Sequence, residues 1–453
     1  MADFDVLVIG GGTGNNVAAA AAEQGLQTAL IEPGALGGTC LNRGCNPSKM
    51  LIQAANAVNH VRDAGQFHVD ATFEGIDQAA VVNEMDELLG GIADDMEARY
   101  RDKPNLTLFK EHATFLEDRT VEVGGETIRG EKVVVAAGSR PIIPPIEGLD
   151  EIEYLTSEDA LYLREPPESL LIMGGGYIAV ELGYVFESLG TDVTIVEMMD
   201  SLLPREDDEI ASTFTEIAAD RHDVYTGHRV TAVEETAGGH AVHAETETGN
   251  QLTVEARDVL VALGRRPNSD TLDLDAAGID VDDQGFIRTD EYLQTTAENV
   301  WAQGDIADNA MFKHSGDYET RHTIENAVYE KKRAIDLSAM PHTIFTEPQM
   351  AGVGMTEAEL EESGAEYAVG RADYSDSAMG RAKKLDEGFL KVLAAPSGEI
   401  LGAHAIGYEA SMLLHEAVLA MRAGLTVEAV AETIHAHPTL SKVLEAAFRD
   451  ISL

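Results

Sequence analysis

The stretch from Phe4 to Asn16 reads FDVLVIGGGTGNN. Its first six residues have the apolar character of a buried strand, and the alanine-rich segment that follows predicts a helix through Ala22. In a strand, glycine turn and helix of this kind, Gly10 permits the tight turn, and Gly12 lets a pyrophosphate approach the helix N-terminus. The stretch therefore predicts an α/β dinucleotide-binding fold, with Gly10, Gly12 and Gly14 as cofactor-binding residues.

The next predicted strand supports this interpretation. Residues 27–31 are followed by Glu32, about twenty residues after Gly12, and an acid at this spacing binds ribose hydroxyls. Asn15 departs from the glycine or alanine expected at the third position of the motif. Because the context is correct on both sides, we favour a cofactor site over an ordinary turn.

A second copy of the pattern lies further along the chain. The apolar residues 170–173 lead into Gly174-Gly175-Gly176-Tyr177, and the apolar residues 193–196 are followed by Glu197. Another pair of segments also repeats: residues 133–141 read VVVAAGSRP, and residues 259–267 read VLVALGRRP. The chain is therefore predicted to contain two related dinucleotide-binding domains.

The chain has two cysteines, Cys40 and Cys45, within GGTCLNRGCNPSK at residues 37–49. Pro47 suits the first turn of a helix, and a cysteine near a helix N-terminus is stabilised as the reactive thiolate. A structural disulfide closing so short a loop would restrain little unfolded-state entropy, and a structural zinc site would need further ligands. The pattern favours a redox-active disulfide and no metal site.

Composition restricts the possible partners. The chain has 453 residues, with 80 acidic against 32 basic residues and a formal net charge of −48. Nucleic acid and anionic membranes would be repelled, and no apolar run of about twenty residues predicts a membrane span. We expect a soluble, cytoplasmic protein of about two to four domains.

The acidic residues are spread along the chain rather than gathered in one segment. Four of them, Glu357, Glu359, Glu361 and Glu362, are predicted on an exposed helix surface, and the overall pattern resembles proteins of extreme halophiles. A docking surface for a partner protein is the alternative, but the charge is not localised. The composition therefore predicts that activity and stability fall as salt is removed.

The motif at residues 37–49 resembles the active-site sequence of the pyridine nucleotide-disulfide oxidoreductases, the class I flavoprotein disulfide reductases, with departures at Arg43 and Asn46. The resemblance implies FAD at the first glycine motif and a nicotinamide at the second. The implied divisions are an FAD-binding domain (residues 1–150, returning at 270–340), an NAD(P)H-binding domain (151–269) and a C-terminal α+β dimerisation domain (341–453).

The resemblance also implies roles for individual residues. Cys45 faces the flavin and Cys40 attacks the substrate disulfide, while His437 acts as acid and base for the partner's cysteines in a homodimer. Lys49 and Glu181 form a pair near the flavin. The predicted cofactor-binding residues are Gly10, Gly12, Gly14, Glu32, Gly38, Thr39, Lys49, Gly138, Asp305, Gly174, Gly176, Tyr177, Glu197 and Gly264.

Two features of the sequence conflict with a simple transfer of these roles. Lys442 stands where relatives place a glutamate that orients the histidine, and Glu445 is the candidate substitute. The coenzyme is also left open, because Glu197 favours NADH, whereas the motif around Tyr177 resembles the NADPH-dependent glutathione reductase type.

Substrate choice rests on weaker patterns. Residues 312–319 and 374–380 resemble mycothione reductase, while the acidic composition indicates a halophile, and halophilic archaea use γ-glutamylcysteine as their small thiol. We therefore predict bis-γ-glutamylcystine as the substrate and a role in thiol homeostasis, with Arg43 attracting a carboxylate. Dihydrolipoamide dehydrogenase is the alternative. A flavoprotein that binds nucleotides and a partner but reduces disulfides poorly is a third interpretation.

Overall fold

The computed structural model describes residues 2–307 and 310–452. Its first part contains β1 (Ala2–Ile9), α1 (Gly14–Glu23), β2 (Thr28–Ile31), α2 (Gly38–Arg43), α3 (Cys45–Arg62), α4 (Gln78–Arg101), β3 (Leu106–Phe109), β4 (Ala113–Glu117), β5 (Thr120–Val123), β6 (Glu126–Val135) and β7 (Ser139–Pro141). Strands β3, β2, β1 and β6 are parallel neighbours in that order, and β5 and β4 extend the sheet antiparallel. Residues Val6–Ile9 are buried because both faces of the sheet are covered.

The second part repeats the parallel arrangement. It contains α5 (Ser157–Ala160), β8 (Ser169–Met173), α6 (Tyr177–Ser188), β9 (Asp192–Val196), α7 (Asp208–Ala219), β10 (Asp223–Tyr225), β11 (Arg229–Thr236), β12 (Gly239–Glu245), β13 (Gln251–Ala256), β14 (Asp258–Val261) and β15 (Arg265–Pro267). Strands β10, β9, β8 and β14 form a parallel sheet, and β11, β12 and β13 form an antiparallel one. β15 pairs with β7 and so joins this part to the first.

The chain then returns to the first sheet. β16 (Val300–Ala302) pairs in parallel with β6, and α8 (Lys313–Thr323) follows, continued by a π-helical turn at Ile324–Val328. The first sheet is therefore built from two separate stretches of sequence, which the second part interrupts.

The C-terminal part is an antiparallel sheet with helices packed against it. It contains β17 (Pro341–Ile344), β18 (Gln349–Gly354), α9 (Glu357–Ser363), β19 (Ala368–Asp373), α10 (Ala378–Lys383), β20 (Phe389–Ala394), β21 (Ile400–Gly407), α11 (Ala410–Leu413), α12 (His415–Arg422), α13 (Val427–Ala431) and α14 (Ser441–Asp450). The strand order is β17-β18-β21-β20-β19. The predicted α/β class, with two Rossmann-like domains and a C-terminal α+β domain, is confirmed. Among the helices of the described residues, none has the length and apolar character to cross a membrane.

A buried ion cluster joins the second part to the C-terminal part. Lys391 on β20, with its side chain 2% exposed, contacts Asp207 at 2.5 Å, Glu357 at 2.9 Å and Glu209 at 3.4 Å. Burial disfavours the charged amine, but the hydrogen bonds to Asp207 and Glu357 outweigh it and raise the pKa of Lys391. Glu357 is only partly exposed, with 34% of its side chain accessible, because this carboxylate turns towards the buried amine.

The other three acids of α9, Glu359, Glu361 and Glu362, are exposed as predicted. The Debye length is about 3 Å at 1 M salt and about 30 Å at 0.01 M, so dilute buffer leaves the charges of such a surface unscreened. We expect the thermal unfolding midpoint and the turnover rate to fall together as KCl is lowered from molar to millimolar concentration. An equal osmolality of sucrose is the control and should not restore either. Full activity and an unchanged midpoint in dilute buffer would contradict this prediction.

Candidate functional site

One continuous cleft of about 2670 Å³ brings the predicted site residues together. Both glycine turns, the cysteine segment, the returning stretch and the C-terminal part all contribute to its walls. The predicted residues that line it are Gly10, Gly12, Glu32, Gly38, Thr39, Cys40, Cys45, Lys49, Gly138, Gly174, Gly176, Tyr177, Glu181, Glu197, Gly264 and Asp305. A space of this size and lining fits two dinucleotides and a small substrate.

The two cysteines lie on two successive helices in the cleft wall. Cys40 is within α2, Cys45 is the first residue of α3, and both are free thiols in this structure. Gly38 has φ 62°, and a Cβ there would lie 2.7 Å from the Cα of Gly12. This close approach requires glycine, and it holds the cysteine segment directly against the first glycine turn.

The two thiols have different proton affinities. A side-chain hydrogen bond from Cys40, together with the charge of Lys49, outweighs burial and lowers the pKa of Cys45 to about 7. The same hydrogen bond and burial raise the pKa of Cys40 well above its usual range. In the dithiol form Cys45 is therefore the thiolate and Cys40 keeps the proton, which favours the division of labour predicted between them.

This difference predicts a pH dependence. We expect the rate of iodoacetamide alkylation of the reduced protein to rise with pH and reach half its maximum near pH 7, because Cys45 loses its proton there. In the Cys45→Ser variant the remaining thiol should react only at higher pH, near or above the value of about 8.5 for free cysteine. Identical pH profiles for the two proteins would contradict the assignment.

The predicted pair between Lys49 and Glu181 forms. Lys49 Nζ lies 2.9 Å from Glu181 Oε1 and 2.6 Å from Oε2, which joins α3 to α6. The backbone N–H of Phe345 donates to the same carboxylate at 3.0 Å, and Lys49 Nζ lies 4.6 Å from the centre of the Phe345 ring. The Lys49 amine is thus held in one orientation at the cleft wall beside Cys45, and the Glu181 carboxylate balances its charge.

The first glycine turn has the features of a pyrophosphate-binding site. A Cβ on Gly10 would lie 2.1 Å from Ala136 O, so the turn closes only with glycine there. A Cβ on Gly12 would meet nothing closer than 3.7 Å, which leaves space for a ligand at the N-terminus of α1. That first helical turn contains no acid. These residues therefore fit an anionic dinucleotide.

Glu32 is fixed beside the first turn, where it accepts hydrogen bonds from Gly11 N at 2.7 Å and Gly34 N at 2.8 Å. Asp305 accepts the Ser139 hydroxyl at 2.6 Å at the end of the returning strand.

Gly14 packs closely against the sheet. It is the first residue of α1, and a Cβ there would lie 2.9 Å from the side chain of Val8 and 3.0 Å from that of Ala136. The missing side chain thus serves close packing of α1 on the sheet, and the cofactor contact at Gly14 stays a prediction.

The second glycine turn repeats the geometry of the first. A Cβ on Gly174 would lie 2.6 Å from Ala262 O, and Glu197 accepts hydrogen bonds from Gly175 N at 2.5 Å and Met199 N at 2.7 Å. The turn leads directly into α6, whose first residue is Tyr177. Sequence reasoning missed Glu206 and His342, which meet at this end of the cleft and have no local motif that would identify them.

The two C-terminal histidines, His435 and His437, lie in different environments. His437 is exposed, whereas the His435 side chain is 3% exposed and bonds Glu416 at 2.7 Å. Glu445 contacts Lys442 and bonds Arg449 at 3.0 Å, and no hydrogen bond or ion pair among the described residues joins it to His437. Glu445 therefore does not replace the missing glutamate within one chain, because the two neighbouring cations hold its carboxylate.

Comparisons with known proteins agree with this geometry. The profile of the pyridine nucleotide-disulphide oxidoreductases matches residues 4–330, and that of the same family's dimerisation domain matches residues 340–448. A dihydrolipoyl dehydrogenase of Halobacterium salinarum is 38% identical, over 98% of this chain and 95% of that protein. A mycothione reductase of Mycobacterium tuberculosis is 35% identical over 99% of both chains. The solved structure of an HOCl-induced flavoprotein disulfide reductase of Escherichia coli superposes with a TM-score of 0.87 at 29% identity, covering 98% of this chain and 99% of that one.

Proposed function

The chain belongs to the pyridine nucleotide-disulphide oxidoreductases, a family of FAD- and NAD(P)H-dependent enzymes, and from this premise we propose that it reduces a low-molecular-weight disulfide with electrons from NADH. The single observation that carries the proposal is the placement of Cys40 and Cys45 in the same cleft as both glycine turns, with the pKa of Cys45 lowered to about 7. A structural cysteine pair needs neither feature.

The residues of this chain supply binding, orientation and proton transfer. FAD, when bound at the first turn, supplies the two-electron transfer between the nicotinamide and the cysteine pair. Cys40 gives its proton to His437 of the partner subunit as its sulfur attacks the substrate disulfide, and His437 passes that proton to the first leaving thiolate. The Cys45 thiolate then attacks the Cys40 sulfur, which forms the Cys40–Cys45 disulfide and releases the second thiolate, and that thiolate takes up a proton from solvent through His437.

We propose NADH rather than NADPH because of the charges around the second turn. Among the described cleft-lining residues from 174 to 205, Arg205 is the one lysine or arginine, and it faces an end of the cleft that also holds Glu197. A 2′-phosphate needs a stronger cationic site than this, whereas Glu197 suits an unphosphorylated ribose.

The coenzyme preference has a direct test. We expect kcat/KM to be at least about tenfold higher with NADH than with NADPH, and the Glu197→Gln variant to lose about tenfold with NADH because the ribose loses a charged acceptor. The Arg205→Gln variant is the matched control, which should lower only the residual NADPH activity. A higher kcat/KM with NADPH in the unchanged enzyme would refute the preference.

For the substrate we propose bis-γ-glutamylcystine, which carries several carboxylates. The described cleft lining has six lysines and arginines and six acids, whereas the whole chain has 32 basic against 80 acidic residues. Several of these cations reach solvent, among them Arg205 and the side chains of Arg43 and Lys313, which are 46% and 38% exposed and pair with Glu158 and Asp317. Cations retained in the cleft of so acidic a protein favour an anionic substrate.

Dihydrolipoamide is the second candidate, and the 38% identity to a halophilic dihydrolipoyl dehydrogenase favours it. The deciding assay compares bis-γ-glutamylcystine, lipoamide and glutathione disulfide with each coenzyme in molar KCl. We expect bis-γ-glutamylcystine to have the highest kcat/KM, and the Arg43→Gln variant to raise its KM without changing that of lipoamide. Preference for lipoamide would select the second candidate, and no reduction of any disulfide would refute the proposed activity.

A further inference from the structure

A buried glutamine beside the first glycine turn has no part in the proposed reaction. Gln303 follows β16, is 1% exposed and lines the cleft. Its amide nitrogen donates two hydrogen bonds, to Thr320 Oγ1 at 2.7 Å and to Thr13 Oγ1 at 3.1 Å. One side chain therefore joins the returning stretch and α8 to the first glycine turn.

The direction of these hydrogen bonds fixes the orientation of the amide. Thr320 donates its own hydroxyl hydrogen to Gly316 O at 2.6 Å, so its oxygen accepts from Gln303, and the group that faces both threonines is the amide nitrogen. The amide oxygen of Gln303 is buried and has no hydrogen-bond partner among the described residues. A buried polar atom of this kind is uncommon and indicates a functional reason for the residue.

Backbone contacts on both sides hold Gln303 in place. Gln303 N donates to Val135 O at 3.1 Å, which ties it to the neighbouring strand. The next backbone group, Gly304 N, donates to Glu319 Oε2 at 2.6 Å. Glu319 is fully buried, and its other oxygen accepts the Ser315 hydroxyl at 2.8 Å. Because these contacts anchor the backbone, the Gln303 side chain has a fixed origin from which to reach Thr13.

Thr13 stands at the N-cap of α1, but its hydroxyl does not cap the helix. A threonine at this position usually accepts a hydrogen bond from an N–H of the first turn, whereas Thr13 makes no side-chain cap bond and accepts from Gln303 instead. Within the described part of the chain, no side-chain cap therefore competes with an anionic ligand for the first N–H groups of α1.

The Thr13 hydroxyl is left with one hydrogen to donate. A Cβ on Gly316 would lie 3.1 Å from Thr13 Cγ2, so the threonine methyl group packs directly against α8. Since Gln303 occupies the oxygen from one side, the hydroxyl hydrogen points away from the amide, and no acceptor for it is present among the described residues. Thr13 lines the cleft, so a ligand at the first glycine turn can accept this hydrogen.

We propose that Gln303 is a positioning residue for FAD, which acts by holding the Thr13 hydroxyl so that it donates to the FAD pyrophosphate. The inference rests on the proposed function, because it places FAD at the first glycine turn. Without the amide nitrogen, the Thr13 hydroxyl hydrogen can turn in several directions, and the oxygen loses its donor. The bond to the pyrophosphate is then less well prepared, and FAD leaves the protein faster.

The proposal predicts that the effect of Gln303 depends on the hydroxyl at position 13. Gln303→Met keeps the length of the side chain without a donor, and it should raise the rate of FAD release about three- to fivefold. Thr13→Val removes the hydroxyl and should raise the rate at least about tenfold. Adding Gln303→Met to Thr13→Val should have no further effect, whereas adding it to Thr13→Ser, which keeps a hydroxyl, should again accelerate release.

The measurement is exchange of bound FAD for radiolabelled FAD by the holoenzyme in molar KCl, which needs no disulfide turnover. Gln303→Leu should behave as Gln303→Met does, so that the result does not depend on the folding of one variant. The matched control is Thr323→Val, which removes a buried hydroxyl of α8 that has no partner among the described residues and should leave the exchange rate unchanged.

Two results would overturn the positioning role alone. One is an unchanged exchange rate in both Gln303 variants, and the other is an equal acceleration by Gln303→Met whether residue 13 is valine or serine, which would indicate a merely structural role. An unchanged enzyme that holds no FAD would overturn both the positioning role and the proposed function.

Discussion

Replacing Cys45 by serine lowers disulfide turnover by at least about a thousandfold, because the variant has no second sulfur to resolve the mixed disulfide and regenerate the oxidised pair. Cys40→Ser should be equally inactive, since it removes the attacking sulfur. The two thiols act as one unit, so the double variant should lose no more activity than either single variant. The measurement is NADH oxidation driven by bis-γ-glutamylcystine, lipoamide or glutathione disulfide.

The matched control for these variants is NADH oxidation with a dye acceptor, which requires the nucleotide sites but not the cysteines. We expect it to persist in all three proteins, because both glycine turns and the Lys49–Glu181 pair are intact. The Cys40→Ser holoenzyme should also keep the long-wavelength thiolate–flavin absorbance, which Cys45→Ser should lack. Preserved disulfide turnover in either single variant would exclude the proposed chemistry.

The parts of this site that could be predicted are those encoded in short runs of sequence. The turns at Gly10 and Gly174 were predictable because each follows an apolar strand. Each also needs glycine, because it lies against the carbonyl of the residue that follows a neighbouring strand of the sheet. The position of Cys45 at the start of α3 was predictable from Pro47 and the helix-forming residues after it. In each case the information lies within about one strand, turn and helix.

The parts that could not be predicted depend on contacts between distant segments. Glu206 and His342 are 136 residues apart, and nothing near either residue indicates the other. Glu357 has the sequence pattern of a solvated helix face, and its contact with a buried amine becomes visible only when Lys391 of β20 is placed against it. Glu445 was a candidate on its spacing along one helix, but the same spacing places it beside Lys442.

The largest stability effect is expected at Lys391. The Lys391→Met variant keeps the apolar stem but leaves the fully buried Asp207 without its cation, and breaking a buried pair in this way costs about 3–5 kcal/mol. This cost should persist at molar salt, because buried charges are screened far less than those of the acidic surface.

Urea unfolding in molar KCl measures the cost, because urea adds no ions of its own. The matched control is Lys103→Met, which breaks the exposed pair with Glu23 and should cost about 1 kcal/mol or less.

Adding Asp207→Asn to Lys391→Met removes the unpaired charge and should restore part of the lost free energy of unfolding. The double-mutant cycle then gives a favourable coupling energy between Lys391 and Asp207. Equal stabilities for the Lys391 and Lys103 variants would show that the cluster does not hold the second part of the chain to the C-terminal part. The predicted result separates a salt-sensitive surface from a salt-insensitive ionic contact beneath it.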